Sequence, residues 1–204
     1  IPFGDDLKVY FVNRDYDGMN YKDKSRREEC KKEIEAKLHY IYDLTQKYKT
    51  KYDKQQVVFQ EISRASDYNS FNEEDEVNYY SHSVIGNVEE KDIVCEGYAR
   101  TLKYLLDGLE IENVLVSGTA TNSNNSTESH AWNYVKLNDK WYAIDVTWDD
   151  PIIKGGGVLS DKLRYQYFLK GADNFLKNHN ENGYLSQNSM KFEFPKLDNK
   201  DYNK

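Results

Sequence analysis

A cysteine, a histidine and an aspartate that together could supply a nucleophile, a base and an orienting acid occur in chain order as Cys95, His130 and Asp145, separated by 35 and 15 residues. Cys95 opens the run Cys95-Glu96-Gly97-Tyr98-Ala99-Arg100, just after the turn-forming Glu89-Glu90-Lys91-Asp92. Leu102, Leu105, Leu106 and Leu109 follow at spacings of three and four, which predicts a helix with one apolar face, while Arg100, Lys103 and Asp107 point away. A sulfur in the first turn of a helix meets unpaired backbone N–H groups and the positive end of the helix dipole, the setting in which nucleophilic cysteines are made. A lone cysteine is more often a small buried packing residue. The assignment therefore depends on what lies downstream.

Two β-forming runs follow. Residues 129–137 alternate apolar and polar side chains, and residues 141–148 are rich in aromatic and branched ones, with Asn138-Asp139-Lys140 between them. This pattern predicts a hairpin. With Asn138 and Asp139 as the two turn residues, Trp132 falls opposite Asp145, and His130 lies diagonal to Asp145 on the same face. Diagonal neighbours are about 7–8 Å apart at the backbone, within reach of an imidazole–carboxylate hydrogen bond. A three-residue turn would shift this register.

The three blocks 94–99 (Val-Cys-Glu-Gly-Tyr-Ala), 129–133 (Ser-His-Ala-Trp-Asn) and 141–151 (Trp-Tyr-Ala-Ile-Asp-Val-Thr-Trp-Asp-Asp-Pro) resemble the transglutaminase-like superfamily, in particular its bacterial members. The resemblance extends over about positions 30 to 180, with residue-level motifs between Ser81 and Pro151. It implies a triad of Cys95, His130 and Asp145. It also implies formation of a thioester from a glutamine carboxamide and transfer to a lysine or other primary amine on a protein or peptide substrate. The same triad with water as acceptor gives a deamidase, and with a backbone amide as donor a cysteine peptidase; a binding module that keeps the triad unused is a third class. Related bacterial sequences carry a segment like 79–88 close to the active site. An acyl-transfer enzyme needs a second donor for the oxyanion besides the backbone N–H at the nucleophile. His82 or Tyr80 is a candidate for it, and Trp132 joins them as an oxyanion or substrate-lining residue.

Composition narrows the alternatives. The 204 residues carry 35 acidic and 28 basic side chains, a net charge of −7 that argues against nucleic acid or an anionic membrane as the main partner. Two cysteines without a Cys-x-x-Cys pair, and four scattered histidines, offer neither a disulfide framework nor a metal-binding spacing. No EF-hand pattern is present, so neither a cofactor nor a calcium requirement is expected. No apolar run approaches the length of a transmembrane helix. The chain begins Ile1-Pro2-Phe3, which leads to the expectation of a removed upstream segment and a secreted or cell-surface location. Oligomeric state is not legible.

These features predict an α+β fold with a papain-like or transglutaminase-like core: the cysteine at a helix N-terminus, packed on an antiparallel sheet that bears His130 and Asp145. A single domain is expected over 1–204, with a possible strand extension in 1–24 that includes residues 7–12. A long helix is expected over 25–48, with Cys30, Ile34, Leu38, Ile41, Tyr42, Thr45 and Tyr48 on one face and Cys30 in the core. A second is expected over 55–65, broken by the polar 67–72. The acidic run 73–76 reads as a helix start or a solvated loop. A strand is expected over 113–120, an exposed Asn/Ser-rich loop over 121–129 as one lip of a cleft, a Pro-terminated turn over 148–151, and a glycine connector at 155–157. Residues 163–169 read as a last strand, His179 as a surface or structural residue, and the tail 196–204 as frayed.

Overall fold

The computed structural model describes residues 24–68, 79–150, 164–181 and 193–204. The expected strand at 7–12, the acidic run 73–76 and the glycine connector lie outside them. Helix α1 spans Lys24–Gln46 and buries Cys30, Ile41 and Thr45. Ile34 and Leu38 are partly buried on the same side, but Tyr42, expected on this face, is 47% exposed. Helix α2 spans Lys51–Ala65, four residues earlier than the apolar periodicity indicates, because Thr50 caps it: its Oγ1 accepts from the Asp53 N–H at 3.0 Å. A 3₁₀ turn at Tyr79–His82 and the short helix α3, Val84–Val88, lead to helix α4 at Cys95–Gly108. The sheet follows as β1 (Asn113–Thr121), β2 (Thr127–Leu137) and β3 (Lys140–Ile144), and the short helix α5 (Ala172–Phe175) precedes β4 (His179–Asn180).

The strands pair antiparallel in the order β3-β2-β1-β4. Asn138 and Asp139 both hold positive φ, 51° and 61°, and pair Leu137 with Lys140. This is the two-residue turn read from the sequence, in a backbone state that Asn and Asp tolerate well. Two apolar layers flank the sheet. On one side Leu102, Leu105 and Leu106 of α4 pack with Val135, Leu137, Tyr142 and Ile144, and with Val58, Phe59 and Ile62 of α2. Each such side chain contributes about 2 kcal/mol by burial, against tenths for helix propensity, so packing fixes where α4 lies. On the other side Val116, Trp132, Tyr134 and Ala143 pack with Phe175 and Leu197.

Three expectations are corrected. Residues 165–169 form turns and a bend in place of the expected strand: Leu169 has φ 52°, and it is Lys170 that bridges to Ala143. The tail is pinned: Leu197 is buried and bridges to Trp141, Tyr202 stacks on Tyr52 at 5.5 Å, and the Asp201 carboxylate pairs with Lys170 and accepts from the Gly171 N–H at 2.9 Å. Its apolar residues are too few to show periodicity, so polarity alone was a poor guide. Strand pairing also takes in Thr121 and residues 127–129, so the exposed loop shrinks to a tight turn over 122–126 in which Asn122 Oδ1 accepts from the N–H groups of Asn124 and Ser126. Among the described residues no helix is long and apolar enough to cross a membrane.

Candidate active site

Helix α4 begins at Cys95, where the extended backbone of Val94 ends, and Val94 offers no side-chain cap to the first turn. Its N-terminal N–H groups are thereby left for another partner. Gly97 lets this turn approach the 3₁₀ segment: a Cβ there would lie 2.4 Å from the Ser81 carbonyl oxygen, which accepts the Val94 N–H at 2.9 Å. The Tyr98 hydroxyl donates to Asp150 Oδ2 at 2.7 Å and lies 3.0 Å from the Ser66 carbonyl. The Asn133 amide donates to the Ala99 carbonyl at 3.0 Å. Much of the Cys-Glu-Gly-Tyr-Ala and His-Ala-Trp-Asn blocks thus serves to fix α4 against its surroundings.

Cys95 is partly exposed, whereas His130 is 5% and Asp145 0% exposed. The His130 Nε2 lies 2.7 Å from Asp145 Oδ2. Cys95 lies near enough to the imidazole to act on its protonation alongside Asp145. The structure therefore brings together all three residues expected from the sequence. Regular pairing of β2 with β3 ends at Asn133 and Ile144, one step short of Trp132 and Asp145, so Asp145 sits just past the strand at the start of a turn. Burial works to lower the His130 pKa, but the Asp145 carboxylate, by charge and hydrogen bond, and Cys95 raise it to about 10. For Asp145, burial works in the raising direction and is outweighed by His130 and His179, which hold it below the ordinary carboxylate range. A histidine held cationic by a buried carboxylate can exchange a proton with a reacting group beside it.

Of the other expected site residues Trp132 lies against His130, while His82 and Tyr80 contact other groups. His82 Nδ1 is 3.0 Å from Glu96 Oε2, next to the cysteine in sequence but bonded to its neighbour. Arg100 holds the same carboxylate at 2.5 and 2.8 Å. Burial pushes the Glu96 pKa up, and His82 and Arg100 pull it down to about 2. Tyr80 packs beside Cys30 and Ile85 with the Lys91 ammonium 3.6 Å from its ring centre. Trp132 is 0% exposed and stacks on His130 with ring centres 6.1 Å apart, so it walls the imidazole from behind and does not line a substrate path. Asp149 and Asp150 have separate tasks. Both Asp149 oxygens lie 2.8 Å from the Tyr167 N–H, and burial, with the nearby Asp145 charge, pushes its carboxyl up to about 9.

Three residues at the site were missed. Trp148, half-buried, sits 5.5 Å from the His130 ring centre. Tyr68, half-buried, bridges to Ile93 two residues before the cysteine; burial pushes its phenol up to about 12, and the charges of Cys95 and Asp145 add to this. His179, expected at the surface or in a structural role, is buried, and its Nε2 lies 3.1 Å from Asp145 Oδ2. Trp148 was within reach of the motif that contains it. Tyr68 and His179 carry no local signal, since each arrives through pairing with a distant segment.

His130, Asp145 and His179 are also the one group among the described residues with metal-ligand donors close together, within 4.8 Å. Two ligands on a tetrahedral zinc stand roughly 3.3 Å apart, given bond lengths of about 2.0–2.1 Å. The 2.7 Å contact between His130 and Asp145 is shorter and fits a shared proton.

The family profile for the transglutaminase-like superfamily matches residues 39–146, just over half of the chain. This protein belongs to the transglutaminase-like superfamily, whose members are cysteine-dependent enzymes. Among solved structures it is similar to a TGase, with 20% identity, a TM-score of 0.52, and coverage of 80% of this chain but 42% of that one. The chain thus spans less than half the length of that structure, and the likeness is one of fold. A Cytophaga hutchinsonii protein provisionally described as a cysteine protease has a TM-score of 0.45 at 18% identity, covering 56% of this chain and 37% of its own. An arylamine N-acetyltransferase from Bacillus cereus has a TM-score of 0.37 at 19% identity, covering 58% and 49%. No curated protein sequence matches.

Proposed function

We propose that the chain is a cysteine acyltransferase that takes a glutamine carboxamide of a protein or peptide as acyl donor and a lysine or other primary amine as acceptor. The observation that carries this reading is the buried His130–Asp145 pair, hydrogen-bonded at 2.7 Å, beside the partly exposed Cys95, which acts on the same imidazole. In the first half-reaction the Cys95 sulfur attacks the carboxamide carbon. The backbone N–H groups at the start of α4 stabilise the oxyanion. The His130 imidazolium gives its proton to the departing nitrogen, the C–N bond breaks, ammonia leaves and a thioester remains. In the second, His130 removes a proton from the incoming amine as it attacks, and the C–S bond breaks to yield an amide and free Cys95. Asp145 keeps the ring oriented and offsets its positive charge throughout.

The partly buried aromatics Tyr68, which bridges to Ile93 two residues before the cysteine, and Trp148, 5.5 Å from the His130 ring centre, would supply apolar walls for the alkyl part of a glutamine side chain. Incubation with a glutamine-containing protein and a labelled primary amine tests the reading. The expected result is label in the protein and release of ammonia, both lost in Cys95→Ala. Ammonia without label would replace it with a deamidase, and new chain termini without label would replace it with a peptidase.

A further inference from the structure

Asp145 is held by two histidines. Its Oδ2 receives His130 Nε2 at 2.7 Å and His179 Nε2 at 3.1 Å, and its Oδ1 receives the Trp148 N–H at 3.3 Å. The carboxylate is 0% exposed, so protein groups must satisfy its charge. His179 is built for this. Its side chain is 0% exposed, its ring stacks on Phe175 with centres 4.0 Å apart and 19° between planes, and Trp132 stands edge-on at 5.1 Å. Its Nδ1 lies 2.9 Å from the Asn178 side-chain oxygen, while the Asn178 amide nitrogen lies 3.0 Å from the Tyr167 hydroxyl. The ring is held at both nitrogens, and because a carboxylate can only accept, Nε2 is the donor to Asp145.

The backbone is arranged to deliver this ring. β4 pairs His179 with Ala120 of β1, and Gly118, opposite His130 in the β1–β2 register, leaves the space. A Cβ on Gly118 would lie 2.1 Å from the Asn180 carbonyl oxygen and 2.7 Å from the Trp132 ring, so any side chain there would push β4 or Trp132 out of place.

We infer that His179 is a positioning residue: by donating to Asp145 Oδ2 it sets the carboxylate's orientation and thereby the ring of His130, extending the site to Cys95–His130–Asp145–His179. The inference rests on the Cys95–His130–Asp145 reading but not on the identity of the acyl acceptor. The test uses the full chain and measures iodoacetamide labelling of Cys95 at pH 7 by mass spectrometry, together with the NMR signal of the His130 ring N–H and thermal melting. His179→Phe keeps an aromatic ring on Phe175 but cannot donate; His179→Gln can. The expected result is a melting temperature for His179→Phe close to wild type, a labelling rate lower by roughly tenfold or more, as for loss of a hydrogen bond to a charged group, a shifted His130 ring signal, and partial rescue by His179→Gln. An unchanged rate and unchanged His130 signal in His179→Phe would overturn the inference, as would equal losses in both variants that track their melting. Should wild-type Cys95 itself label no faster than Cys30, the underlying site reading fails instead.

Discussion

Replacement of Asp145 by asparagine removes one charge and leaves the shape of the site unchanged, so its consequences can be worked from the structure. His130 is buried, and burial alone would lower its pKa below the ordinary 6.5; with Asp145 and Cys95 beside it the value is about 10. That rise corresponds to roughly 5 kcal/mol in favour of the imidazolium. In Asp145→Asn the main opposing charge is gone while the desolvation remains, so His130 is expected to be neutral at pH 7 and to lose the positive charge it holds beside Cys95. Labelling of Cys95 by iodoacetamide at pH 7 is expected to slow at least tenfold, and turnover with the labelled-amine assay to fall by about a thousandfold or more. The sign for stability follows from the same shift. A group whose folded pKa is raised stabilises the fold fully below its unfolded value of about 6.5, and this contribution is lost as pH rises through about 10. Denaturant titration of the wild type should show that decline, and Asp145→Asn should lack it. Labelling of Asp145→Asn within threefold of wild type, with the alkaline decline retained, would refute the placement of Asp145 as the partner of His130.

Cys30 is buried on α1, and burial pushes its thiol pKa up, so labelling of the native protein is expected at Cys95 well before Cys30, as peptide mapping after alkylation would show. Gly97→Ala should lower stability by about 1–3 kcal/mol in urea titration despite alanine's better helix propensity, because the new Cβ meets the Ser81 carbonyl oxygen at 2.4 Å. Glu96→Gln loses the interactions with His82 and Arg100 that hold the carboxyl at about 2. Its side chain is 28% exposed, which limits the loss to about 1 kcal/mol at pH 7. The contribution is present above pH 4.5 and disappears as pH falls through about 2, so wild type and variant should converge in acid melts. Truncation after Lys196 removes Leu197, Asp201 and Tyr202 together and should lower the melting temperature measurably, which a frayed tail would not do.

What the sequence determined by itself is local. A leucine stripe at helical spacing set α4, and Asn138-Asp139 tolerated the two positive φ angles of a tight turn and so fixed the β2–β3 register. Together these placed His130 and Asp145 on one face, and the order of the three blocks pointed to the family. Each of these is decided by residues within a few positions of one another, where backbone preference and periodicity act directly. The same local logic failed where a segment's structure is set by distant partners. The tail is polar in composition yet held by a few contacts to Tyr52, Trp141 and Lys170, and the turn at 165–169 is set by Leu169 and by Asp149 accepting the Tyr167 N–H. Only the tertiary structure put Tyr68 beside Ile93 and His179 against Asp145. A buried carboxylate has to be satisfied by whatever donors the fold brings to it, and β4 brings a histidine from 34 residues downstream, a separation over which no sequence periodicity reports.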